Sequence, residues 1–161
     1  MIRNHPVKYI NDYAVNSVRS AYENAGRWYC YLTREGLEKG LPLEFVKDAM
    51  RASGRFQAQD RYRDVSDLQD FIAKYMDFEM EKAFEGEVAA CSETEAEIAL
   101  GYCPLLAAWQ KLGCEETLIR DLCRCCREMD MTAASKLGIE MSVSESLAEG
   151  GEKCTVRFHK P

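Results

Sequence analysis

Part-way along this chain the hydrophobic residues change their period, and that change fixes the order in which helices and strands can form. From Asp12 to about Lys39, Val15, Val18, Tyr22, Ala25, Tyr29 and Leu32 recur at steps of three and four, the repeat of an amphipathic helix. The spacing predicts one long helix, closed by Gly40 and Pro42. Pro42 opens a second helix through PLEFVKDAMRAS, with Gly54 its expected stop. A third is expected through SDLQDFIAKYMDFEMEKAF, capped by Ser66, with Leu68, Ile72, Tyr75 and Met76 on one side. At GEVAACSETEAEIALGYCP, residues 86 to 104, the pattern loosens to alternation. A hairpin turning at SETE is expected there, with helix as the alternative because Glu and Ala favour it.

Pro104 then starts a short helix ended by Gly113, and Glu115 to Lys136 forms another ended by Gly138. In the last segment, IEMSVSESLAEGGEKCTVRFHK, Ile139, Met141 and Val143 answer Cys154, Val156 and Phe158 across a Glu-Gly-Gly turn. That alternation predicts a terminal β-hairpin. Helices first, then two hairpins with helices between them, define an α+β fold with an antiparallel sheet. The 161 residues suit a single domain, mainly helical over 1–84 and carrying the hairpins over 85–161.

Composition narrows the function. A net charge of −6 repels phosphate backbones and anionic lipid, and the densest basic stretch, Arg51 to Arg63, is short. No nucleic-acid or membrane partner is expected, and no apolar run approaches the roughly 18 residues of a spanning helix. The first residues, MIRNHPVKYINDY, lack the features of a secretory leader, so a cytoplasmic protein is expected. The WYCY run, Trp28 to Tyr31, reads as core or as the seam of a homodimer.

Eight cysteines are about 5% of the chain, below the level of a disulfide scaffold. Free thiols or ligands are the expectation. LCRCCREMD, Leu122 to Asp130, is their densest cluster. On a helix Cys123, Cys126 and Asp130 share a face while Cys125 points elsewhere. Cys103 stands before a proline at a strand-to-helix junction and Cys154 just after the Glu-Gly-Gly turn, both suited to a site wall. Free cysteine is also a common core residue, the simpler reading for Cys30, Cys91, Cys114 and Cys125. A single close Cys-x-x-Cys pair and two histidines fall short of a four-ligand zinc site. The residues leave the cofactor undetermined: a thiol site needs none, and a metal held by Cys103, Cys126, Asp130 or Cys154 is the other chemistry.

An ordered set of short elements carries a resemblance. Gly101 to Pro104 (GYCP), Trp109, Gly113, Leu122, Cys126 with Asp130 four residues on, Leu147, Gly150 to Glu152, Cys154 and Phe158 together resemble the L-2-amino-thiazoline-4-carboxylic acid hydrolase family over about residues 84–159. The family pattern runs CP, C-x-x-x-D and a late G-(D/E)-x-C-x-F. Here Phe158 lies four residues after Cys154 rather than two, and Cys123 and Cys125 are additional. The resemblance implies hydrolytic opening of a 2-aminothiazoline ring to a carbamoyl-cysteine. For that reaction Cys103 or Cys126 is the candidate nucleophile, active as a thiolate if its pKa is depressed, with Asp130 moving or orienting protons and Cys154 completing the wall. Arg127 or Arg157 would hold the substrate carboxylate, with Trp109 beside it. The element order is also similar to small-molecule-binding domains related to vinyl reductase and to vesicle-tethering subunits. That resemblance implies a non-catalytic sensor or carrier of a ligand or metal.

Overall fold

The computed structural model describes all residues, 1–161. Its elements follow the order read from the periods: helices α1 (Tyr13–Glu38), α2 (Leu43–Gln59) and α3 (Leu68–Tyr75), strands β1 (Gly86–Cys91) and β2 (Glu95–Leu100), helices α4 (Pro104–Lys111) and α5 (Glu116–Ser135), and strands β3 (Glu140–Glu145) and β4 (Cys154–His159). The fold is α+β. The strands form one antiparallel sheet in the order β1-β2-β4-β3, so the C-terminal strand joins the two hairpins. No helix is long and apolar enough to cross a membrane.

Four local expectations are revised by the structure. The third helix does not run through to Phe84: Met76 leaves helical geometry at φ −86°, ψ 54°, and a short π-helical turn over Glu79–Ala83 follows. Asp77 explains the restart, because its carboxylate accepts from the Met80 amide at 3.0 Å and pairs with Arg61 at 2.7 Å. The cap of α3 is Asp67, not Ser66; it accepts from the Asp70 amide at 2.8 Å. Gly54 does not stop α2, which continues to Gln59. Its missing side chain lets α5 approach: a Cβ there would meet the Met129 carbonyl oxygen at 2.2 Å. Finally, β3 and β4 pair in the expected register, Met141 with Phe158 and Val143 with Val156, but a 3-10 turn at Leu147–Glu149 lengthens the Glu-Gly-Gly connection.

Alternation gives the sheet two faces. Ile98, Val156, Phe158, Met141 and Val143 point to the helices, while Glu97 and Arg157 face outward and pair at 2.7 Å. Two apolar clusters result. One gathers Leu68, Phe71, Tyr75, Ile98 and Phe158, and the other Cys30, Leu106, Trp109, Ile119 and Leu122. Cys103 and Cys154 touch both, which sets them on the seam. The WYCY run divides between environments: Cys30 is buried, whereas Trp28 and Tyr31 are exposed.

Residues before α1 strap across this seam. The Asn4 side chain donates to the Cys103 carbonyl and accepts from its amide, at 2.8 and 2.9 Å. Glu85, held at φ 54° and buried, accepts from the Val7 and Lys8 amides at 2.8 Å and from Arg19 at 2.9 Å.

Candidate functional site

A cavity of about 170 Å³ lies on the seam between the clusters. Cys103, at the N-cap of α4, Cys123, Cys126 and Asp130 on one face of α5, and Cys154 at the start of β4 all line it, with Trp109 and Arg127. The helical spacing of three and four thus does what geometry requires. Cys125, on the other side of α5, is buried near Lys47 of α2. Arg157 is not brought to the others; it lies on the outer sheet face. Arg157→Ala is expected to leave turnover within about twofold and stability within about 0.5 kcal/mol. A tenfold loss of turnover would return it to the site.

Hydrophobic residues make up 17 of the 21 that line the cavity, so desolvation dominates its electrostatics. Burial raises the Asp130 carboxyl to about 6, opposed by the Tyr75 hydroxyl, which donates to Oδ2 at 3.4 Å, and by the charge of Arg61. Burial also pushes the Cys126 thiol far up, and the neighbouring Asp130 charge adds to it. Cys103 and Cys154 shift the same way for the same first cause, against donation from the Leu106 and Leu147 amides. The condition for a free thiolate nucleophile, a depressed pKa, is not met: the cavity keeps these thiols neutral. At neutral pH Cys103, Cys126 and Cys154 are thus protonated, around one carboxylate that titrates at about 6.

Two cations reach the lining. Arg61 is already tied to the Lys74 carbonyl and the Asp77 carboxylate, both at 2.7 Å. Arg127 touches only the Cys123 sulfur, at 3.5 Å, which leaves most of its donors free for an anion. No three His, Cys, Asp or Glu side chains are grouped so as to hold a metal ion.

Arg61, Tyr62, Tyr75 and Gln57 also line the cavity, and no sequence pattern assigns any of them to the site. Tyr75 carried a signal only as an apolar position at helical spacing; its hydroxyl reaching Asp130 is a contact across 55 residues. Arg61 lies within the basic stretch Arg51 to Arg63, whose only sequence signal is its total charge.

The family model for L-2-amino-thiazoline-4-carboxylic acid hydrolase matches residues 19–158. No curated protein sequence matches. Among solved structures, the chain is similar to a trafficking protein particle complex subunit 3 from Naegleria fowleri, in a crystal structure covalently bound to palmitic acid. The TM-score is 0.58 at 12% identity, over 86% of this chain and 94% of that one. At that identity the likeness is one of fold.

Proposed function

Because the chain belongs to the L-2-amino-thiazoline-4-carboxylic acid hydrolase family, we propose that its cavity opens a cyclic amidine of the 2-aminothiazoline-4-carboxylate type to a carbamoyl-cysteine. The observation that carries this reading is the shared face of α5, where Cys126 and Asp130 stand one helical turn apart inside an apolar cavity. With the thiol held neutral, attack needs a base beside it rather than a free thiolate.

In this reading Asp130 takes the Cys126 proton as the sulfur bonds to the amidine carbon. The ring carbon–sulfur bond breaks, and the departing substrate sulfur receives that proton from Asp130. Water then gives one proton to Asp130 and adds to the same carbon, its remaining proton passes to the former ring nitrogen, and Cys126 leaves and is reprotonated by Asp130. One water is consumed, its oxygen becomes the ureido carbonyl, and both nitrogens remain on the carbon. Arg127 holds the substrate carboxylate, while Cys103, Cys154 and Trp109 shape the wall.

Acid quenching during turnover of 2-aminothiazoline-4-carboxylate, followed by intact-protein and peptide mass spectrometry, tests the covalent step. The expected result is an adduct of the full substrate mass on the Cys126 peptide, with carbamoyl-cysteine in solution. Turnover undiminished in Cys126→Ala would transfer the attack to water. Absence of product from the unaltered protein would remove the hydrolase reading.

A second reading, a carrier without turnover, is favoured by the hydrophobic lining and by the fold shared with a protein covalently bound to palmitic acid. A long-chain fatty acid retained through native mass spectrometry, with no product from the amidine, would select it.

A further inference from the structure

Away from the cavity, two other thiols meet. Cys30, in the middle of α1, and Cys114, in the turn between α4 and α5, bring their sulfurs to 3.4 Å. Neither lines the cavity. We propose that Cys30 and Cys114 form a modification site, a dithiol that a peroxide oxidises reversibly to an intramolecular disulfide.

The two cysteines differ in the way such a pair requires. Cys30 is fully buried, whereas Cys114 is partly exposed and accepts from Arg34 Nη2 at 3.4 Å. Reactive cysteines occupy partly exposed, electropositive surroundings, and apolar burial makes a thiol inert towards reagents in solution. Cys114 is thus the residue that meets the oxidant, with the guanidinium steadying charge on its sulfur during attack. Burial, with the Cys114 contact second, raises the Cys30 thiol to about 11, which keeps it from initiating the reaction.

The step balances. Cys114 attacks the peroxide, becomes a sulfenic acid and releases one water; Cys30 attacks the sulfenic sulfur, loses its proton and releases the second. Two thiols and one peroxide give one disulfide and two waters. Closing from 3.4 Å to a bond of about 2.0 Å asks for a movement of about 1.4 Å. The turn can supply it, since Cys114 follows Gly113, which sits at φ 65° with open space around it. The disulfide would fasten the end of α4 to α1 beside Trp109, whose carbonyl accepts from the Cys114 amide at 3.1 Å and whose indole N–H donates to Gly26 of α1 at 3.0 Å.

The test treats fully reduced full-length protein with a small excess of hydrogen peroxide, blocks remaining thiols with N-ethylmaleimide and maps peptides by mass spectrometry. The Cys30–Cys114 cross-link is expected to be the first disulfide formed, reversible by dithiothreitol and accompanied by a higher Tm. Arg34→Gln should slow its appearance several-fold without changing its identity. Cys114→Ser, with Cys114→Ala as a second variant should serine disturb the turn, should abolish it. First oxidation elsewhere, at exposed Cys91 or between Cys103 and Cys154, would overturn the proposal. So would a Cys114 sulfinic acid with Cys30 still open to alkylation after denaturation.

Discussion

Asp130→Asn is expected to lower kcat/KM for 2-aminothiazoline-4-carboxylate by about 10²- to 10⁴-fold, the range for loss of a positioned general base. Asparagine preserves the shape and can still accept from the Tyr75 hydroxyl, so the variant removes proton transfer and little else. The pH profile carries the sign. A carboxyl raised to about 6 is protonated and inactive as a base below that pH. Rates should therefore climb with pH and level off above about 6.

Stability should move the opposite way. Between the unfolded carboxyl value of about 4 and the folded value of about 6, the folded state binds more protons, so stability falls as pH rises through that window. The asparagine variant lacks this loss and should be more stable than the parent at pH 8, by on the order of 1–3 kcal/mol. An inactive yet stabilised variant would mark Asp130 as a carboxylate kept at a cost to the fold for its chemistry. Unchanged activity, or a profile flat from pH 5 to 8, would remove it from the reaction.

Local rules and long-range contacts divide what the sequence discloses here. The positions of Cys103, Cys126, Asp130 and Cys154 on their own elements were legible because each follows from a short-range rule, while their meeting at one cavity comes from tertiary packing. An i, i+4 step aligns two on a helix, a proline marks the start of α4, and period-two alternation turns Cys154 inward. Tyr75 and Arg61 were not legible, because they reach the same cavity from other elements through the packing of both apolar clusters. The break after Tyr75 was hidden as well. Its apolar spacing continues through Met76 and Met80, and only the Asp77 contacts with Arg61 and the Met80 amide reveal the restart. The outward face of Arg157 was implicit in the alternation of β4, since Val156 and Phe158 on either side point to the core.

Gly54 shows how a local rule can be right about a residue and wrong about its reason, and it carries the second large effect. Within a helix, glycine costs about 1 kcal/mol relative to alanine, so Gly54→Ala would stabilise α2 if nothing faced it. Here the new Cβ would lie 2.2 Å from the Met129 carbonyl oxygen and 2.9 Å from Thr132 Cβ, both on α5. A carbonyl inside a helix cannot swing aside as a side chain can, so α5 must shift outward as a body. Overpacking of this kind costs about 1–3 kcal/mol, occasionally more. The expected net loss is about 2 kcal/mol, or about 4–8 °C in Tm at this chain length. Met129 immediately precedes Asp130, so the displaced segment is the one that aims the carboxyl and, one turn earlier, Cys126. Misplacement by about 1 Å can cost about 100-fold in rate, and Gly54→Ala should lose turnover on that scale while still folded by circular dichroism. A variant stabilised by about 1 kcal/mol with full activity would mean that α5 has room to spare. The close approach at Gly54 would then have no part in setting the site.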